Sequence, residues 1–154
     1  MPLKRDPSLI PLSHDHHHAL LRVFEIRRAL AASGDLAGEA RSTCEFHARD
    51  LVPHFRAEED ALVPALRDAN ALPEPEIARL VEEHRLLDRM VDRLARGDGD
   101  LAAFADLLEK HVRTEERRVF PAYQERVPLE RRDEVEASIR RRLGRPRENV
   151  EPGA

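Results

Sequence analysis

Cysteine is almost absent from this 154-residue chain: Cys44 stands alone, so no disulfide within the chain is possible and nothing points to an oxidising compartment. Aromatic residues are scarce. With one tyrosine, five phenylalanines and no tryptophan, a core has to be built mainly from leucine, valine and alanine. No apolar run approaches the ~20 residues of a membrane span, and Met1 to Leu12 lacks the apolar stretch of a signal peptide. The expectation is a cytoplasmic protein with no membrane partner. Charge of one sign is also lacking: 26 basic against 30 acidic residues leave a net charge of −4, which argues against a nucleic-acid partner. The basic cluster of Arg140, Arg141, Arg142, Arg145 and Arg147 lies among acidic residues and reads as a solvated helix end. Strand signals and glycine-rich phosphate loops are missing.

What is present is helical periodicity. Met1 to Leu12 holds three prolines and reads as an extended arm, with Ser13 as a helix N-cap. Leu20, Leu21, Val23, Phe24 and Leu30 predict a first helix over 14–33. Leu51, Phe55, Leu62 and Leu66 predict a second over 36–69, in which Pro53 and Pro64 should bend the rod, the first bend falling beside His54. A third helix is expected over 75–96, opened by Pro75, and a fourth over 100–126, capped by Asp98 or Asp100. Val127-Pro128 breaks the chain before a fifth, over 129–143. From Gly144 on, the chain reads as a flexible tail. Short connections between long helices imply antiparallel neighbours. The predicted architecture is all-α: an antiparallel up-down-up-down four-helix bundle over 13–143, completed by the additional C-terminal helix, between an arm (1–12) and a tail (144–154).

One motif occurs twice. His54-Phe-Arg-Ala-Glu58-Glu59 with a later Pro64-Ala65 returns as His111-Val-Arg-Thr-Glu115-Glu116 with Pro121-Ala122, 57 residues on. Residues four apart share a helix face, so each His-x-x-x-Glu aims an imidazole and a carboxylate at one point. Two such pairs on two helices suit two metal ions, because carboxylates bridge while imidazoles terminate, and helix bundles build di-iron and di-manganese sites in this way. A pair of surface hydrogen bonds would explain neither the repeat nor the core residues Phe55 and Leu62 beside it. The other two helices each add a histidine. Counting from the helix ends sets His17 level with His54, Glu58 with His84, and His84 with His111, to within about one turn of ~5.4 Å. His17 precedes Leu20, Leu21, Val23 and Phe24, and His84 precedes Leu86, Leu87, Met90 and Val91, which puts both on the core-facing stripe; His16 is the alternative on the first helix. The metal ligands expected are therefore His17, His54, Glu58, His84, His111 and Glu115. Four imidazoles and two carboxylates suit iron or manganese, with zinc less suited. Six groups cannot fill the coordination of two six-coordinate ions, so positions stay open for O₂, peroxide or NO.

Several neighbours carry weaker expectations. His47, two turns before His54, is a packed histidine; Asp88 is an extra ligand or a solvated residue. Glu59 and Glu116 either support a ligating imidazole or lie on the surface. Tyr123 belongs at the core rim and Cys44 is a small buried side chain.

Residues 12–126 resemble the hemerythrin family, in its bacterial hemerythrin-like or HHE cation-binding branch. The resemblance rests on Leu12-Ser13-His14-Asp15-His16-His17-His18-Ala19-Leu20, the His54–Glu58 segment, Glu82-Glu83-His84-Arg85-Leu86-Leu87, and His111 with Glu115. It implies two iron ions bridged by Glu58 and Glu115 together with an oxo or hydroxo group, the histidines being terminal. Oxygen carriers of the family have a further histidine one turn from the first on the third helix. Here those positions are Leu80 and Asp88. The departure shifts the expectation from reversible carriage towards relatives linked to iron handling, oxygen or redox sensing, peroxide removal and nitrosative-stress repair. Three classes compete: a protein that binds O₂ or iron, a di-iron enzyme of peroxide or nitric-oxide detoxification, and a regulatory bundle with a structural metal. The fifth helix either caps the monomer or forms a dimer contact, so oligomeric state is open.

Overall fold

A computed structural model of the chain describes residues 4–145, and among these all regular structure is helical. Helix α1 (Ile10–Ala31) follows directly on a 3₁₀ turn, Pro7–Leu9. The helical chain thus begins several residues before Ser13, inside the expected arm. The cap is Asp6, whose carboxylate accepts from the Ser8 amide at 3.0 Å, and Leu9 and Leu12 are buried. Ser33 (φ 52°) turns the chain into α2 (residues 36–68), capped by Asp35. Helix α3 (Glu74–Ala95) opens with Pro75 in its first turn, and Asp100 caps α4 (residues 101–126) through the Ala103 amide at 2.9 Å. Helix α5 (Leu129–Leu143) ends on Gly144 at φ 68°, the left-handed conformation glycine adopts without steric cost. The expected tail lies, from residue 146 on, outside the described residues, as does the start of the arm.

Helix α2 runs unbroken over residues 36–68, and α4 over residues 101–126, despite the prolines inside them. Each proline is absorbed by a π turn just before it: His47–Leu51 before Pro53, Glu58–Leu62 before Pro64, and Glu115–Val119 before Pro121. A proline in a helix lacks its N–H and its ring collides with the carbonyl four residues back. The wider turn lets the residue ahead of each proline donate five residues back instead, Val52 to His47, Val63 to Glu58 and Phe120 to Glu115. π turns of this kind are frequent at functional sites, and here two of the three begin on the repeated glutamates.

Contacts between helices climb one as they descend the next. Asp15 and Arg22 of α1 meet His54 and Glu39 of α2. His84 and Asp88 of α3 meet Glu58 and His47 of α2, and Glu76 and Glu83 of α3 meet Arg118 and His111 of α4. His16 and Arg27 of α1 meet Glu116 and Asp106 of α4. The apolar interior is in two parts. One, around Leu12, Leu62, Leu66, Leu80, Phe120 and Tyr123, is closed by Val135 and Ile139 of α5. The other, around Val23, Phe55, Leu87, Phe104 and Leu108, fills the opposite half. Between them lies a polar layer. No helix among the described residues is long and apolar enough to cross a membrane.

Candidate metal centre

The polar layer holds six buried groups: His16 from α1, His54 and Glu58 from α2, His84 from α3, and His111 and Glu115 from α4. Their donor atoms fall into two groups with shared members. His16, His54, Glu58 and Glu115 form one, and Glu58, His84, His111 and Glu115 the other, with the atoms of each group within 4.8 Å of one another. The two carboxylates belong to both. Glu58 Oε1 lies 2.9 Å from His54 Nε2 and 3.3 Å from His84 Nε2. Glu115 Oε1 lies 2.7 Å from His111 Nε2 and 3.6 Å from His16 Nε2. Of the residues expected from the sequence, five are brought together. His17 is not: it is exposed, and His16, at 3% exposure, takes its place. The buried stripe of α1 is Leu12, Asp15, His16, Ala19, Val23 and Ile26, whereas Leu21 and Phe24, which had pointed to His17, face solvent.

Each inward histidine is held from behind by a carboxylate on a neighbouring helix. Asp15 accepts from His54 Nδ1 at 2.9 Å, Glu83 from His111 Nδ1 at 2.9 Å, Glu116 from His16 Nδ1 at 3.0 Å, and Glu59 from His84 Nδ1 at 3.3 Å. A carboxylate only accepts, so each Nδ1 carries a proton; at His16 and His111, which burial keeps neutral, Nε2 then presents its lone pair to the centre. The pattern has approximate twofold symmetry. An acid-histidine dipeptide on α1 (Asp15-His16) and on α3 (Glu83-His84) faces His-x-x-x-Glu-Glu on α2 and on α4. Consecutive glutamates flank the two nitrogens of one imidazole, Glu58 and Glu59 at His84, Glu115 and Glu116 at His16. Phe55 stacks on His84 with ring centres 4.1 Å apart, and Phe120 on His16 at 5.3 Å, which fixes the ring planes.

The electrostatics suit a cation. Burial, only partly offset by Glu116 and Glu83, pushes the pKa values of His16 and His111 down, so both are neutral. Burial opposes charge on Glu58 as well, but His54 and His84 outweigh it and hold the carboxyl well below its usual range. Against the same burial, Glu58 and Asp15 raise His54 to about 9. His16 and His111 therefore turn lone pairs towards carboxylate oxygens, acceptor against acceptor. Without an ion between them, His16 Nε2, His84 Nε2, His111 Nε2, Glu115 Oε1 and Glu58 Oε2 are buried with no hydrogen-bond partner. Unpaired buried polar atoms of this kind each cost about 1–3 kcal/mol. Two donors bound ~2.1 Å from one ion at a right angle lie ~3.0 Å apart, within the spread observed here. The residues fit a pair of metal ions.

Asp88 stands outside the group: its carboxylate pairs with His47 Nε2 at 2.6 Å. His47 is thus the packed histidine expected, with no part in the centre. Tyr123 is wholly buried and meets Ser8 at 3.0 Å, deeper than the expected rim position, and Cys44 is only partly buried. An open cleft of about 1000 Å³ lined by Leu30, Leu36, Cys44, Leu94 and Leu101 contains no residue of the centre. Sequence reasoning missed Asp15 and Glu83. The signal was there: among His14, His16, His17 and His18, three follow a non-acidic residue, and Asp15-His16 alone repeats the acid-histidine pair of Glu83-His84.

The family model described as the Hemerythrin HHE cation binding domain matches residues 8–123. The chain belongs to this family of cation-binding helical proteins. Among curated proteins and among solved structures, nothing matches it.

Proposed function

We propose that this chain binds two iron ions in the buried layer and takes up O₂ or a related small oxidant there. His16 and His54 would hold one ion, His84 and His111 the other, and Glu58 and Glu115 would bridge both. The observation that carries the reading is the sharing of these two carboxylates by two otherwise separate donor groups. The fold that goes with it is an up-down-up-down four-helix bundle of α1 to α4, closed at one end by α5. When bound, the ions supply electrons and open coordination positions for a small ligand. The chain supplies the rest. Four Nδ1–H···carboxylate bonds set the imidazole tautomers and orientations, Phe55 and Phe120 keep bulk water from two of the rings, and the apolar halves above and below make the layer a site for a small, weakly polar guest. On α3, one turn to either side of His84, Leu80 is apolar and Asp88 is engaged by His47, so neither adds a ligand and positions remain open.

Anaerobic loading with Fe(II), followed by air, tests this. Iron is counted per chain while the near-ultraviolet and visible spectrum is followed. Two irons with a spectral change that reverses on removing O₂ are expected of an oxygen-binding protein. Two irons that oxidise once and stay oxidised would turn the assignment to redox, peroxide or nitric-oxide chemistry. Less than one iron per chain would overturn the dinuclear reading.

A further inference from the structure

The four carboxylates behind the histidines are not equivalent. Those serving His16 and His54 are each gripped by an arginine, and both arginines lie outside residues 8–123, the span the family accounts for. Arg145, just past the end of α5, places Nη1 2.8 Å from Asp15 Oδ1, while Asp15 Oδ2 accepts from His54. Asp15 is 4% exposed, so its carboxylate is a buried link between a surface guanidinium and an inward imidazole. Arg5 places Nη2 2.8 Å from Glu116 Oε2, while Glu116 Oε1 accepts from His16. The same guanidinium donates to the Glu116 carbonyl at 3.2 Å and to Gln124 Oε1 at 3.1 Å. It also lies 5.2 Å from the ring centre of Phe120, which stacks on His16. Arg5 therefore braces His16 through its acid and through its stacking partner at once.

The other half has no such brace. Among the described residues, neither Glu59 nor Glu83 has an arginine or lysine within ion-pair distance. Each borders a cleft whose cations stand beyond contact, Arg67 and Arg85 at Glu59, and Arg79, Lys110 and Arg118 at Glu83. Glu59 also makes the longest of the four bonds to a histidine.

We infer that Arg5 and Arg145 are positioning residues that lock the His16/His54 half of the centre, so that this half retains its metal while the His84/His111 half exchanges its own with solvent. The physical argument is one of freedom. For an ion to leave, an imidazole must turn away, and it turns only if the carboxylate behind it lets go. A carboxylate whose far oxygen is held by a guanidinium keeps its near oxygen on the imidazole, whereas one whose far oxygen has no cationic partner can swing towards water. Partners behind metal ligands are typically worth 10–100-fold in metal affinity. The inference rests on the two-ion reading above.

The test is metal release from protein loaded anaerobically with Fe(II), followed by absorbance in excess ferrozine after the iron content has been counted. Two equivalents leaving in separate fast and slow phases are expected. Arg145→Ala and Arg5→Ala should each speed the slow phase about tenfold and leave the fast phase alone, with Arg145→Lys restoring part of the difference. Glu83→Gln should speed only the fast phase. A merely structural role for the arginines would speed both phases together, and that result, or release unchanged in both variants, would overturn the inference while leaving the two-ion site standing. Loading of fewer than two ions would instead overturn the two-ion reading and this inference with it.

Discussion

Replacing His16 and His17 separately by alanine separates two neighbours that the structure treats in opposite ways. His16 is buried, faces Glu115, and is backed by Glu116 and Phe120; His17 is exposed. His16→Ala should lower the metal content of the loaded protein from two ions towards one. At free metal a hundredfold above Kd, a bound ion stabilises the fold by about 2.7 kcal/mol. For a chain of this size each kcal/mol moves Tm by roughly 2–4 °C, so the loaded protein should melt about 5–11 °C lower. In metal-free protein the sign of the balance differs. The alanine leaves a cavity, but it also removes the orphaned Nε2, which costs about 1–3 kcal/mol where it stands. The two changes oppose each other and Tm should move little. His17→Ala should stay within about 0.5 kcal/mol in both states, as surface changes do. Elemental analysis and thermal melts with and without metal read all four cases. An equal fall in Tm with and without metal would refute the reasoning, as would metal lost from His17→Ala but kept by His16→Ala.

Further outcomes follow from the same geometry. Glu58→Ala or Glu115→Ala should cost both ions, since each carboxylate touches histidines of both halves; full metal content in either variant would sink the bridging assignment. Phe55→Ala, which removes a buried ring stacked on His84, should cost about 3–5 kcal/mol in urea unfolding; a loss below about 1 kcal/mol would show that the ring carries no packing. Burial raises the Asp6 carboxyl, but hydrogen bonds from Ser8 and the Arg132 guanidinium outweigh it and hold its pKa below the ordinary value. Its contribution is then complete above the unfolded carboxyl pKa of about 3.9 and is lost as pH falls through the lower folded value. Asp6→Asn should accordingly show a shallower acid loss of stability than the parent chain, and identical urea midpoints against pH would count against the cap.

Much of the fold was legible because the punctuation is local. Pro75 and Gly144 start or stop helices through their own backbones and Asp35 and Asp100 through a carboxylate three residues ahead of the amide it caps, and the helix limits follow them closely. The centre was legible where the chain repeats itself, at His54, Glu58, His111 and Glu115, and through His84, whose stripe of Leu80, Leu87, Val91 and Leu94 is buried. Helix α1 misled because it carries apolar residues on both faces: Phe24 is 61% exposed while the small Ala19 is buried. Size and hydrophobicity therefore pointed one residue astray. His47, expected to be packed rather than ligating, pairs with Asp88 of α3 and stays out of the centre. The arm was read as extended because its prolines suggested it, yet Pro7 and Pro11 occupy opening turns, where proline is at home.

The π turns also bear on how this chain can change length. Each is, in effect, one surplus residue folded into a rod whose faces on either side keep their aim. Losing a residue there would return the turn to ordinary α-helical pitch without swinging the later side chains, at the cost of setting the proline ring against the carbonyl four residues back, whereas a deletion elsewhere in α2 or α4 would swing every later side chain by about 100°. The surplus at Glu115–Val119 lies between two groups that must not move, Glu115 at the centre and Phe120 against His16. Comparisons among relatives that align α4 without a gap across this stretch would then pair residues that occupy different places in space, and a one-residue gap just before the proline would be the alignment that respects the geometry.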